Sequence, residues 1–287
     1  MNSMWRSVAR YARNTIVQTT PTELETLVEL WHVRLLALTQ LGFYQLASAE
    51  MDKMGDLPTS STTLFPLRVL WARLPAFLNH PLVTLERLTL LIVDCKKQGW
   101  TDREQQVTLV LATHMMAMGD FIAAATTLER IPRNADVLSS LARLYLQLGD
   151  IHTAESLYSQ IEGSSTAVQE AIKVNKAFLL MGKGEWAQAR DQLQQVIKDN
   201  ADNLTAVNNL AVCEVYLGNL GKAIELLETM TAQNPTSAGT CETALLNMCT
   251  LYELKHDPAT EQKIEVMRQV ARWAGDAFNA DCLKLYQ

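Results

Sequence analysis

Five histidines and five cysteines are the side chains with which this 287-residue chain could hold a metal or run nucleophilic chemistry. Their spacing speaks against both. Cys95, Cys213, Cys241, Cys249 and Cys282 form an odd, scattered set without a CxxC pair, so neither a zinc site nor a disulfide framework follows, and they read as reduced, cytosolic core residues. His32, His80, His114, His152 and His256 are dispersed without HExxH spacing, and each reads as a surface or half-buried helix residue. Gly182-Lys183-Gly184 lacks the further glycine and the Lys-Ser/Thr pair that would cradle a phosphate. Carboxylate pairs such as Glu225 and Glu228, three apart, read as a solvated helix face. Asn203-Leu204-Thr205 is a glycosylation sequon by chance in a chain read as having no secretory signal. No catalytic, metal or cofactor-binding residue is expected, and no cofactor.

Composition narrows the alternatives. With 25 Lys and Arg against 31 Asp and Glu, the net charge is −6, which excludes a general nucleic-acid binder because binding by counterion release needs a basic surface. The 48% hydrophobic fraction supports a sizeable core. Only 12 Gly and 8 Pro occur among many Leu, Ala, Gln, Met and Glu, so the expectation is an all-α protein. Apolar runs such as Leu90–Val93 fall far short of the roughly 20 residues that cross a bilayer. Arg6, Arg10 and Arg13, with no acid before Glu23, resemble a mitochondrial presequence. The preferred reading puts Trp5, Val8 and Ile16 on one side of a helix that packs on the next.

The elements that must carry any site come from a repeat. A glycine followed five residues later by alanine recurs at Gly42/Ala47, Gly119/Ala124, Gly149/Ala154, Gly184/Ala189 and Gly218/Ala223. Tyr44, Phe121, Ile151, Trp186 and Leu220 stand two residues after the glycine. Met51, Leu128, Tyr158, Leu193 and Leu227 stand nine after, and Leu35, Ala112, Ala142, Ala177 and Ala211 seven before. Gly149, Gly184 and Gly218 lie 35 and 34 residues apart, the period of the tetratricopeptide repeat. The glycine ends helix A in a backbone conformation that side chains resist. Small residues then let helices A and B approach closely. The gap between Gly42 and Gly119 has room for a degenerate repeat, with Asn79 in the glycine slot, Thr84 in the small slot and Leu88 nine after.

The expected architecture is a right-handed tetratricopeptide α-solenoid of six to seven helix pairs. Residues 1–20 form an N-terminal helix or cap, and 21–237 an array of about six repeats with the one around 64–98 degenerate. Residues 238–287 form a final helix pair, Cys241–Leu254 and Thr260–Trp273, with a solubilising cap from Gly275 to Gln287. Thr20-Pro21-Thr22-Glu23 reads as an N-cap, a first-turn proline and a capping-box acid, and Gly55–Thr63 as a loop. In such an array helix A lines the concave wall. Counting from the small residue, Val110, Ser140, Asn175 and Asn209 stand two before it and Thr113, Arg143, Phe178 and Val212 one after. Met116, Leu146, Met181 and Val215 stand four after. The stripe is largely apolar with Arg143 as its one prominent charge. A clamp for an acidic chain terminus would need inward lysines, and only Asn208 and Asn209 offer anything similar. Arg143, Leu146, Phe178, Met181, Asn208, Val212 and Val215 are therefore the candidate protein-binding residues. They either receive a helix in the groove or pack on the neighbouring helix A.

The C-terminal half is more specific. Asn208–Cys213, Tyr216-Leu217-Gly218, Leu246-Asn247-Met248, Leu251–Leu254, Gly275-Asp276-Ala277-Phe278-Asn279 and Cys282–Leu285 resemble the tetratricopeptide region of the subunit-12 family of the trafficking protein particle (TRAPP) complex. A weaker likeness runs back through Leu30-Trp31 and Met51–Leu70. The resemblance implies a non-catalytic subunit of the TRAPP III tether, acting in endoplasmic-reticulum-to-Golgi traffic and autophagy. It implies as partners the other TRAPP subunits, above all the large accessory subunits 8, 11 and 13. Rab GTPase exchange would belong to the core subunits. The expected location is cytoplasmic, peripheral to the Golgi and the ER–Golgi intermediate compartment, with indirect membrane association. That family commonly carries a long polar N-terminal extension without a counterpart in these 287 residues, and its insertion near Gly55 is shortened here. Roles of the extension, a mitotic one included, are left open for this sequence. From the residues alone, a free adaptor or co-chaperone that binds short peptides is the alternative.

Overall fold

A computed structural model describes residues 4–55 and 64–285 of the chain. These residues form fifteen α-helices and two short 3-10 helices, without a strand among them. They divide into two compact units. The first, up to Pro132, holds helix α1 (Trp5–Gln18) and three antiparallel pairs: α2 (Leu24–Gln40) with α3 (Tyr44–Asp52), α4 (Phe65–Phe77) with α5 (Pro81–Gln98), and α6 (Thr101–Ala117) with α7 (Phe121–Leu128). The second, from Arg133, holds four: α8 (Ala135–Gln147) with α9 (Ile151–Ser159), α10 (Thr166–Gly182) with α11 (Trp186–Asp199), α12 (Leu204–Tyr216) with α13 (Leu220–Gln233), and α14 (Glu242–Lys255) with α15 (Thr260–Val270). Each unit is a stack of helix pairs, the α-solenoid architecture. The Gly55–Thr63 loop lies, except for Gly55, outside the described residues, as do residues 1–3 at the N-terminus and the last two of the cap.

One turn joins helix A to helix B in six pairs and recurs at Gly99, between α5 and α6. The residue after the turn position donates its N–H to the carbonyl five residues back: Phe43 to Leu38, His80 to Pro75, Asp120 to Met115, Asp150 to Tyr145, Glu185 to Leu180 and Asn219 to Glu214, at 2.8–3.0 Å. Together with the bond from the turn residue itself, three back, this is the Schellman closure, which satisfies carbonyls that helix A would leave orphaned. It requires a left-handed residue, and Gly184 takes φ +77°. Asn79 takes φ +62° with the same two bonds, because asparagine tolerates that region better than other side chains.

The turn sets helix B directly against helix A. Leu35, Ala72, Ala112, Ala142, Ala177 and Ala211 on helix A, and Ala47, Thr84, Ala124, Ala154, Ala189 and Ala223 on helix B, are all buried. Two stacked aromatic pairs tie neighbouring repeats, Tyr44 on Phe77 at 4.8 Å and Trp186 on Tyr216 at 3.8 Å. Each joins the first residue of one helix B to the residue two before the next turn. At the end of the second unit, the 3-10 helix Ala280–Leu283 buries Cys282 and Leu283 against α14 and α15. The buried Lys263 side chain pairs with Glu253 and donates to the Lys284 carbonyl at 2.9 Å. The Gly275–Asn279 run seats this segment. Phe278 packs on the core, the Asn279 N–H donates to Glu242 Oε1, and the Asn279 side chain accepts from Asp281 N, both at 3.0 Å.

The N-terminal punctuation differs from the capping-box expectation. Glu23 N–H donates to the Thr20 carbonyl at 3.0 Å, so Thr20–Glu23 is a turn with Pro21 second, and α2 starts after it at Leu24. The Thr20 hydroxyl donates to the Glu23 carboxylate at 2.8 Å and caps no backbone. In α1 it is Ala9 and Ala12 that are buried, while Trp5, Val8 and Ile16 are only half-buried. Small residues there let α1 lie close on α2, and Arg34 of α2 donates to the Ala9 carbonyl at 3.1 Å.

A Cβ built at Gly184 has no atom within 4 Å, so a substitution there acts through the backbone alone. Gly184→Val is expected to lower stability by about 1–2 kcal/mol, and Gly184→Asn by clearly less, as read from urea unfolding followed by circular dichroism. Equal losses for the two would mean that the left-handed geometry is not what the position demands.

Candidate functional site

The seven candidate residues lie on α8, α10 and α12, and the structure brings only some of them to one place. Arg143 is exposed, its Nη2 donating to Ser140 Oγ at 3.3 Å. It lines a depression of about 350 Å³ together with Phe178, Ser139, Asn175 and Asn203. The other five lie outside that lining. Leu146 reaches toward Gly182 of α10, its Cδ2 lying 3.1 Å from where a Cβ would stand. Phe178 and Met181 pack from the rim on the core around Leu193 and Leu210, and Val215 on the core of the last pairs. Asn208 Oδ1 accepts from Asn247 Nδ2 of α14 at 2.9 Å, and Val212 is half-buried.

The depression is more polar than the counted stripe of helix A, on which Arg143 is the one charge. Asp136 and Glu170 line it as well. The reason lies in the helix N-termini. Asn134 and Asn203 cap α8 and α12 through N–H bonds at 2.8 Å. Glu170 in turn accepts from Asn200 Nδ2 at 3.0 and 3.1 Å, and from Asn203. Buried Asn175 donates to Ser139 Oγ at 2.8 Å and ties α10 to α8. The helix cap Asn203 and the Glu170 carboxylate that receives it therefore share the groove with the apolar stripe.

α12 is held by a buried carboxylate. Glu214, fully buried, accepts from Lys222 Nζ at 2.6 Å and from Asn219 Nδ2 at 2.7 Å. Burial opposes its charge, but these two hydrogen bonds outweigh burial and hold the carboxyl below the usual carboxylate range. The thiols behave oppositely. Burial pushes Cys213, Cys249 and Cys282 up to about 11 and raises Cys95, so at neutral pH they are protonated core side chains rather than nucleophiles. All five cysteines are free. His80 and His152 are exposed, and His32, His114 and His256 half-buried. Among the described residues no three His, Cys, Asp or Glu side chains come together to hold a metal ion, and no helix is long and apolar enough to cross a membrane.

A larger groove, of about 700 Å³, lies in the first unit between α4 and α6, with α5 behind it. Phe77, Leu88, Val110, Ala117 and Met118 line it, with Arg73 and His114 as its ionisable groups. His114 Nε2 donates to the Pro81 carbonyl at 2.8 Å. Sequence reasoning reached part of this groove, since the stripe included Val110 and Thr113 of α6, but it did not extend the stripe to α4. The signal was present: Arg73 follows Ala72 as Arg143 follows Ala142.

Tetratricopeptide-repeat family models match residues 105–130, 135–160 and 180–239. Those segments carry tetratricopeptide repeats, and the helix pairs form the α-solenoid of that repeat. Trafficking protein particle complex subunit 12 of Mus musculus is 30% identical over 90% of this chain, and that of Homo sapiens 29% identical over 90%. The chain spans 39% and 42% of those two relatives, about two fifths of their length. In fold it is similar to a tetratricopeptide repeat protein from Parabacteroides merdae, with a TM-score of 0.56 at 11% identity, covering 96% of this chain and 99% of that one.

Glu214→Gln leaves Lys222 and Asn219 facing a neutral amide and is expected to cost about 1–3 kcal/mol at neutral pH. Because the folded carboxyl is held low, its stabilisation is complete above the unfolded value of about 4.3 and is lost as pH falls through the folded value. Denaturant midpoints of the two proteins should therefore differ at pH 7 and converge at strongly acid pH. A constant difference throughout would remove the charge from the explanation.

Proposed function

We propose that this tetratricopeptide protein is a non-catalytic scaffold subunit of a trafficking protein particle complex. The observation that carries the proposal is the 30% and 29% identity, over 90% of this chain, to two proteins named as subunit 12 of that complex. In finer terms the complex is the TRAPP III tether, supporting endoplasmic-reticulum-to-Golgi traffic and autophagy. The direct partners are other TRAPP subunits, foremost the large accessory subunits 8, 11 and 13. Nucleotide exchange on a Rab GTPase is carried by the core subunits, and the chain resides at the Golgi periphery through its partners rather than through a membrane segment of its own. An N-terminal helix within 1–20, an array over 21–237 and a closing pair with cap over 238–287 form the scaffold.

Physical chemistry supports a binding role. Phe43, Tyr216, Leu254 and Trp273 are among the large apolar side chains left exposed, and obligate partners cover such surface. Arg143, Leu146, Phe178, Met181, Asn208, Val212 and Val215 are the partner-facing wall in this reading, with Arg143 and Phe178 the two that share a solvent-facing depression.

Tagged chain purified from cells and washed at high salt should retain TRAPP core and accessory subunits in fixed ratio, as read by mass spectrometry. Recovery of chaperones or scattered clients alone would point to a free adaptor and overturn the reading. Phe178→Asp with Met181→Asp should abolish assembly. Since both side chains also touch the core, the exposed Arg143→Glu provides a second variant, and both are checked by circular dichroism. Folded variants that still assemble would move the contact away from this wall.

A further inference from the structure

The groove between α4 and α6 has the chemistry of a docking site for one kind of partner. Its walls are two A helices running in the same direction, with buried Leu88 and Thr84 of α5 behind them. Phe77 and Met118, 36% and 38% exposed, stand at its edges. Their burial by a partner would remove apolar surface from water, the main favourable term in association. A volume of about 700 Å³ lies within the roughly 300–1,000 Å³ of concave ligand pockets.

Charge selects the occupant. The chain carries a net charge of −6, yet no carboxylate lines this groove among the described residues, and its ionisable groups are Arg73 and His114. Arg73 is exposed, with its guanidinium 5.9 Å from the Phe77 ring. It therefore stands beside the apolar floor with its charge open to a ligand. His114 uses Nε2 on the Pro81 carbonyl, which leaves Nδ1 as its other polar atom. A carboxylate next to an apolar anchor would meet a cation here and no like charge, whereas a lysine in the same place would be repelled by Arg73.

We propose that this groove receives an amphipathic helix of another polypeptide, with its apolar face on Phe77 and Met118 and an acidic side chain at Arg73. The inference deepens the scaffold reading and rests on it only for the expectation that the helix belongs to another subunit. Apolar anchors one turn apart are the pattern that a groove between two helices accepts.

The probes are two fluorescein-labelled helical peptides of about 18 residues with leucines at the i, i+3, i+4, i+7 positions. One carries glutamates elsewhere, the other lysines. By fluorescence anisotropy the full chain should bind the glutamate peptide saturably and the lysine peptide at least about tenfold more weakly. Ala117→Trp, which fills the groove from an exposed helix position, and Arg73→Glu should each weaken binding of the glutamate peptide at least about tenfold with circular dichroism unchanged. Absence of saturable binding, equal binding of the two peptides, or full binding by folded Ala117→Trp or Arg73→Glu chain overturns the proposal. In cells, TRAPP subunits held by the wild-type chain should be lost from Ala117→Trp. Equal retention by both would overturn the groove while leaving the scaffold reading intact. A wild-type chain that retains none of them would sink the scaffold reading, and the peptide result then decides the groove alone.

Discussion

The close approach of helix A to helix B is the constraint on which the other features depend. It needs two things together: side chains no larger than alanine or threonine at most of the facing positions, and a turn tight enough to bring helix B back at once. Ala142 with Ala154 and Ala177 with Ala189 meet the first condition. The Schellman closure meets the second, and it demands a left-handed residue. Leu35 shows how far the first can be relaxed: a large side chain at the small position of α2 is still fully buried, facing Ala47 on the partner helix.

From that spacing follows what each helix has left to offer. Helix B packs on its pair partner and on the next repeat, and helix A supplies most of the lining of both depressions. The N-terminal turns of α8, α10 and α12 carry side-chain caps, and the C-terminal turns of α4 and α6 carry apolar side chains near the Schellman turn. This division explains why the depression at Arg143 is polar while the groove between Phe77 and Met118 is apolar. The former lies at the capped ends of α8, α10 and α12, and the latter at the C-terminal ends of α4 and α6.

Much of the repeat skeleton was legible because glycine and alanine at fixed spacing report directly on backbone geometry and helix distance. The final pair was legible to within three residues, since Cys241–Leu254 and Thr260–Trp273 correspond to Glu242–Lys255 and Thr260–Val270. The capping box at Thr20 misled because the same four residues also suit a turn with Pro21 second, and local chemistry does not choose between the two. The candidate site was less legible. Periodicity placed Arg143 and Phe178 on one face, and Asn208 joined them as a clamp-like amide, but neither argument revealed that Asn208 is taken up by Asn247 while Arg143 faces solvent.

Local rules already mark the chain as helical, give its later pairs, at Gly149, Gly184 and Gly218, a period of 34 to 35 residues, and make its likeness to a trafficking protein particle complex subunit clearest in its C-terminal half. Each of these depends on local rules: left-handed turn residues, small residues at helix contacts, and identities along a segment. Only the tertiary structure decided which side chains of helix A remain open. That choice turns on the distance between helices that are neighbours in space and not in sequence. The same distance leaves α5 at the back of a groove in the first unit, and it buries Lys263 and Glu214 with partners that no spacing in the chain announces.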